Sequence, residues 1–270
     1  MQVELLTHAA IKLTDKKAPR DKTVIYFDPY SISEEYHDAD YIFITHDHYD
    51  HYDQKSIEKV SKEGTKLIVP ECLKGINPYL VVKPNEEYKL EDGIEFQTIP
   101  AYNLGKNFHP KEKNYVGYNI LIKGTRYYIM GDTDRTEEAD QVKADVCFVP
   151  IGGEFTMDAR EASDYINSIK PRIAIPIHYG KIAGKPDDEI EFKNRVYEGT
   201  EVYILMEDLS FYSDEELKTR ANNLKKDIII NNGTNQRERK YLNWRHKLII
   251  SEQARRKLNE KLENGGSKKW

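Results

Sequence analysis

Cysteine and uninterrupted apolar sequence are both scarce in this chain of 270 residues. The two cysteines, Cys72 and Cys147, lie far apart with no partner spacing, so no disulfide framework can be drawn. Buried, reduced thiols of a cytoplasmic (cytosolic) protein are the simplest reading. No apolar run approaches the roughly 20 residues of a membrane helix, which argues against a transmembrane segment. The opening "MQVELLTHAA" lacks the basic start and apolar stretch of a signal peptide and reads as a first strand. Repeats and low-complexity tracts are also missing up to about residue 212. What is present is a composition 39% apolar and 32% charged, that of a soluble globular chain able to bury a sizeable core.

Charge is unevenly spread. The net charge is −5, yet from Ser213 onward 15 Lys and Arg face 8 Asp and Glu, while the rest of the chain holds 26 against 38. The change suggests a boundary, giving one domain over 1–212 and a basic helical tail over 213–270. Short β-branched or aromatic runs predict strands at 24–28, 41–45, 66–69, 94–99, 117–122, 127–130, 146–150, 173–177 and 202–205. "KGTR" at 123–126 reads as a hairpin turn. Helices are expected at 53–63, 158–169 and 187–198; the second places Ala162, Tyr165, Ile166 and Ile169 on one face. Mixed strands and helices argue for a layered α/β fold. In the tail, "SDEE" at 213–216 fits a capping box, "NNGTN" at 231–235 is a break, and "SEQARRKLNEKLEN" is a basic helical stretch. The last residues, "GGSKKW", are expected to be disordered.

The densest chemistry lies in "YIFITHDHYDHYD", residues 41–53. His46, His48 and His51, with Asp47, Asp50 and Asp53, follow an apolar strand. A strand running into a tight loop can aim imidazoles and a carboxylate into one pocket, and these are the groups that Zn²⁺ and neighbouring divalent metals take. Three histidines at this spacing read as a metal site rather than a solvated loop.

"THDHYDH" matches the H-x-H-x-D-H motif, and the chain resembles the metallo-β-lactamase superfamily from about residue 3 to 212. "FDPY" (27–30), "MGDTD" (130–134) and "IPIHYG" (175–180) are similar to further motifs in the same order. The resemblance implies an αββα sandwich with two metals at the rim of the sheets and, here, a C-terminal helical appendage. It implies that His46 and His48 hold a first metal and Asp50, His51 and His178 a second, with Asp132 bridging both. A third histidine of the first site must lie between the loop and Asp132, and His109 is the only one in that interval. Asp134 competes with Asp132, whose position within the motif is the better one. Asp28 is expected to hydrogen-bond the metal loop. The resemblance places His8 where relatives carry a histidine in a short strand near the site, with a core or surface histidine as the alternative, and Tyr102, Asn103 and Tyr179 stand beside expected donors as candidates for substrate contact. His37 and His246 read as surface residues.

Two close divalent ions, zinc or else manganese, nickel or iron, lower the pKa of bound water and share a hydroxide nucleophile. The expected chemistry is hydrolysis of an ester, lactone, amide or phosphodiester, with Asp50 or a water protonating the leaving group. The 46 positions from Asp132 to His178 leave no room for the inserted domain of the superfamily's RNA-processing nucleases. The motif run most resembles small prokaryotic metal-dependent hydrolases, similar to the ascorbate-phosphate lactonase and the N-acylphosphatidylethanolamine-hydrolysing phospholipase D. A small-molecule substrate is therefore expected. A nuclease or phosphodiesterase holding nucleic acid with the basic tail, or a metal-binding protein without catalysis, are the alternatives.

Overall fold

The computed structural model describes residues 1–15, 23–180, 182–185, 187–205, 209, 212–230, 242, 243, 245–247, 249, 250, 252–254, 256 and 257. Two compact units are formed, Met1–Met206 and Glu207–Trp270.

In the first unit the described strands make two sheets, each from one continuous stretch of chain. The first runs in chain order through β1 (Gln2–Thr7), β2 (Ala10–Thr14), β3 (Val24–Phe27), β4 (Ala39–Phe43), β5 (Ser61–Pro70) and β6 (Leu80–Val82). The second likewise takes β7 (Glu87–Lys89), β8 (Glu95–Pro100), β9 (Val116–Ile122), β10 (Thr125–Ile129), β11 (Val146–Pro150), β12 (Ile173–Ile177) and β13 (Glu201–Val202). Both begin antiparallel and end parallel, from β3 to β6 and from β10 to β13. The parallel crossovers carry α1 (Gln54–Val60), α2 (Glu137–Asp140), α3 (Ala159–Ile169) and α4 (Asp188–Arg195).

Period-two alternation explains the layering. Ile25, Phe27, Tyr41 and Phe43 face the second sheet; Phe43 packs against Phe27 beside it and against Tyr118 and Phe96 opposite, with centroids 5.1, 5.1 and 5.2 Å apart. Val24, Tyr26, Ile42 and Ile44 point the other way, onto Ile57 and Val60 of α1. In the second sheet Tyr118 faces inward, so Asn119 and its partner Tyr128 face outward, with Cys147 beside them. Tyr165 of α3 covers that face. Helix, sheet, sheet and helix follow one another: the αββα sandwich. An Asp158–Glu161 capping box starts α3, whose buried stripe of Ala162, Tyr165 and Ile166 is the expected one.

Several boundaries differ from the expected ones. The helix expected over 53–63 stops at Val60, because the Ser61 hydroxyl takes the Ile57 carbonyl and the chain turns extended into β5. A register shift, with Gly64 at φ 81°, then lets β5 run ten residues rather than four. α4 is shorter than 187–198, and only Glu201–Val202 pairs where a strand over 202–205 was expected. β2, β6 and β7 and the four-residue α2 had no sequence prediction. The "KGTR" hairpin does form, with Lys123 and Gly124 at φ 50° and 78°, the mirror-turn conformation that matches strand twist. Cys72 and Cys147 are both free thiols.

In the second unit α5 (Asp214–Ile230) opens with the expected Ser213–Glu216 capping box. Leu217, Ala221 and Leu224 are buried with Tyr212, Leu242 and Ile249. The described residues between 242 and 257 are helical, and His246 is half-buried rather than exposed. "NNGTN" and "GGSKKW" lie outside the described residues. Among the described residues no helix is long and apolar enough to cross a membrane.

Phe43 touches three rings from both sheets, so Phe43→Ala should destabilise the first unit by about 3–5 kcal/mol. Urea unfolding of the two proteins measures it as a lower midpoint.

Candidate metal centre

Parallel strands leave their carboxyl ends on one edge of each sheet, where side chains from successive loops converge. Here β3 ends at Asp28, β4 leads into Thr45–His51, β10 into Gly131 and Asp132, and β12 into His178. The β1–β2 turn adds His8, and the long β8–β9 loop adds His109. All seven residues expected to bind metal, His46, His48, Asp50, His51, His109, Asp132 and His178, therefore meet at one rim, with His8 among them.

Asp132 is the pivot. Its carboxylate lies 2.9 Å from His178 Nε2, 3.2 Å from His51 Nε2, 3.4 Å from His109 Nε2 and 3.9 Å from His46 Nε2. His109 Nε2 is 3.2 Å from His48 Nδ1, and Asp50 Oδ2 is 3.6 Å from His178 Nε2. Donors roughly 2.1 Å from a common ion are spaced roughly 3.0–3.4 Å apart at angles between 90° and 110°. His46, His48 and His109 form one group whose donor atoms all lie within 4.8 Å of one another; His8, Asp50, His51 and His178 form another.

Hydrogen bonds behind the rings fix which nitrogen faces inward. Thr45 Oγ1 gives its one proton to Asp28 and so accepts from His46 Nδ1, 3.0 Å away. His51 Nδ1 donates to Asp28 Oδ2 at 2.8 Å, and His109 Nδ1 to Asn103 Oδ1 at 3.0 Å. Each of these rings then turns an Nε2 lone pair into the cluster. His46 Nε2, His51 Nε2, His178 Nε2 and Asp132 Oδ1 are buried and make no hydrogen bond. Buried polar atoms are almost always satisfied. Ring nitrogens and carboxylate oxygens converging on one another with no other partner fit divalent cations.

Electrostatics points the same way. Burial pushes His46 well below its ordinary pKa and His109 down to about 4. Burial would also depress His51 and His178, but Asp132 beside both, and Asp28 behind His51, reverse the direction: His51 is held well above 6.5 and His178 reaches about 9. Burial opposes the charge on Asp132, and His178 and His51 nonetheless hold its carboxyl well below the usual range. Backbone strain is present here too, since His8, Asp28 and His178 adopt φ of 39°, 44° and 56°. Gly152 is required beside them, because a Cβ there would stand 2.4 Å from the His178 carbonyl.

The remaining expectations divide. Asp28 and Asn103 are the polar supports just described. Asp134 is tied to Lys106 and the Leu104 amide, away from the cluster. Asp53 caps α1, and Asp47 accepts from the Tyr115 hydroxyl. Tyr102 and Tyr179 are not poised for substrate: both are buried, with hydroxyls bonded to Glu138 and Glu189. His37 is exposed as expected. Sequence reasoning missed Thr45, whose only signal was its place before His46, and Tyr115, whose ring lies 5.0, 5.6 and 5.8 Å from those of His46, His48 and His109.

A two-sheet sandwich gathering histidines and aspartates at the ends of its parallel strands defines a metalloprotein of the metallo-β-lactamase fold. Residues 2–178 match the beta-lactamase superfamily domain, and the chain belongs to that superfamily, among its metal-dependent hydrolases. It is 32% identical to a UPF0173 protein of Pyrococcus furiosus over 227 residues, 80% of this chain and 100% of that one. With a UPF0173 metal-dependent hydrolase of Thermococcus onnurineus it shares 29% over 222 residues, 76% of this chain and 96% of the relative. A Parabacteroides distasonis crystal structure, described as a candidate metal-dependent hydrolase, superposes with a TM-score of 0.67 at 29% identity, over 76% of this chain and 92% of that one. The metallo hydrolase Igni18 of Ignicoccus hospitalis shares the fold, with a TM-score of 0.62 at 23% identity, over 76% and 94%.

Two outcomes follow from this geometry. Asp28→Asn removes the acceptor that orients His51, and metal affinity should fall roughly 10- to 100-fold in a calorimetric titration. His178 is protonated below about 9 in the metal-free protein, and an ion can bind only its neutral form. Apparent affinity should therefore rise with pH from 6.5 and level off above about 9. Adding metal to unbuffered protein at pH 7 should release protons and acidify the solution.

Proposed function

We propose that the chain is a dinuclear metallohydrolase, with His46, His48 and His109 holding one ion, Asp50, His51 and His178 the other, and Asp132 shared. The observation that carries this reading is the pair of donor groups meeting at one buried carboxylate. Zinc suits the imidazole-rich set, and manganese, nickel or iron are compatible with it. Two such ions, when bound, supply Lewis acidity and activated water. The chain's own part is to hold the donors rigid, keep Asp132 ionised, and place Asp50 where a carboxylate can take up a proton and return it to the leaving group.

The reaction is hydrolysis of an ester, lactone or phosphodiester in a small substrate, and the rim bears on which. Tyr49, between His48 and Asp50, is 66% exposed and packs edge-on to Tyr30. Phe108, next to His109, is 46% exposed and packs edge-on to Phe155, 4.6 Å between centroids. Of the three lysines of that loop, Lys106 and Lys111 are paired with Asp134 and Glu138, and Lys113 is exposed. Aromatic surface, with the cations at 106 and 111 both paired, favours a neutral ester or lactone bearing an apolar group over a phosphorylated one.

Protein saturated with Zn²⁺ or Mn²⁺ should hold close to two ions per chain by elemental analysis, and His46→Ala or Asp132→Ala should lose metal and turnover together. Absence of metal from the saturated protein defeats the proposal. A panel of esters, lactones and phosphodiesters should show the apolar esters or lactones turned over best, with Phe108→Ala raising KM. Every donor lies before residue 179, so a chain ending at Met206 should keep its metals and its activity on small substrates. If the basic tail instead holds nucleic acid, full-length protein should bind DNA or RNA with steep salt dependence and the shortened chain should not.

A further inference from the structure

His8 occupies the two-residue turn between β1 and β2, and nothing in the packing of that turn calls for an imidazole. It is 1% exposed, and its Nδ1 has no hydrogen-bond partner. A non-glycine residue at φ 39° costs about 1–3 kcal/mol unless its surroundings impose the conformation. What the turn achieves is placement. The His8 carbonyl accepts from the His178 amide at 3.1 Å, joining the edges of the two sheets, and the two rings lie 4.0 Å apart. His8 Nε2 reaches within 3.3 Å of Asp50 Oδ2.

We propose that His8 is a further protein donor at the second metal position, which then takes His8, Asp50, His51 and His178 together with the shared Asp132. The inference rests on the two-ion reading above and extends it. A purely supporting role, with His8 donating a hydrogen bond to Asp50, is the competing explanation. At 3.3 Å the contact is longer than the roughly 2.7–2.9 Å of a charge-assisted N–H to carboxylate bond. Its length is instead that of two donors around one centre, roughly 3.0–3.4 Å for bonds of roughly 2.1 Å. His8, Asp50, His51 and His178 also each offer an atom within 4.8 Å of all the others.

The consequence is an unequal pair of sites. Three histidines and a shared carboxylate make the first position a four-donor site, the number zinc prefers. Four residues and the same carboxylate give the second position five protein donors, which suits an ion that accepts five or six ligands, such as Mn²⁺, Fe²⁺ or Ni²⁺.

Co²⁺ titration of the full chain tests this, read by calorimetry and by visible absorption, whose intensity falls as the coordination number of Co²⁺ rises. The variants are His8→Asn, which tolerates the left-handed backbone, and His8→Gln, whose amide can still donate to Asp50. Circular dichroism establishes that each folds. Wild-type protein should bind two ions with different band intensities. Both variants should bind one ion unchanged and the other at least tenfold more weakly, with a stronger absorption band for the weakened step. Two ions bound with wild-type affinity and spectrum in His8→Gln would make His8 a positioning residue and overturn the inference alone. A wild-type chain that binds fewer than two ions would overturn the dinuclear reading, and this inference with it.

Discussion

The Asp132 carboxylate is the constraint to which the rest of the architecture answers. It is 3% exposed, and a carboxylate so placed stays ionised only if positive charge is brought against it. The chain surrounds it with four imidazoles, two from loops of the first sheet, His46 and His51, and two from the second, His109 and His178. No single sheet could supply that shell. The two sheets must meet edge to edge at this rim, and the interlocking of Phe27, Phe43, Phe96 and Tyr118 beneath holds them at the required separation.

The rim tolerates little displacement. Gly131, at φ 66°, lets the Asp132 loop pass close to Thr45, since a Cβ there would be strained and would stand 3.0 Å from the Thr45 Cβ. Thr45 then joins Asp28, His46 and His51 in one hydrogen-bonded group, so the orientation of two rings depends on a strand that bears no donor of its own. Such an arrangement spreads the cost of three left-handed, non-glycine residues over the core that holds them.

Much of this was legible in the chain, and the failures share a physical cause. H-x-H-x-D-H after an apolar strand was readable because spacing alone fixes which side chains share a pocket. His109 followed from order, and α3 from a cap and a 3.6-residue stripe. Support across loops was not readable, because Asn103 and Tyr115 act through contacts with no spacing in sequence. Adjacency to a donor was misleading for a simple reason. Successive residues at a strand end point to opposite sides, so Tyr179 turns its hydroxyl to Glu189 while His178 faces the cluster. The short β6 and β7 escaped because three residues are too few to show an alternation. β5 was underestimated because its first half, Ser61 to Thr65, is polar and glycine-containing, and only Ser61 of it pairs with β4 before the register shift.

Because each sheet is one unbroken stretch of chain, the donors are also divided in time. His8, His46, His48, Asp50 and His51 leave the ribosome first, and synthesis at about 5–20 residues per second delays His178 by roughly 6 to 25 seconds. During that interval the histidine loop has no buried carboxylate to share. Only closure of the second sheet over the first brings Asp132 and His178 into place. The two sets of donors can therefore meet only in the last step of folding, when the sandwich shuts.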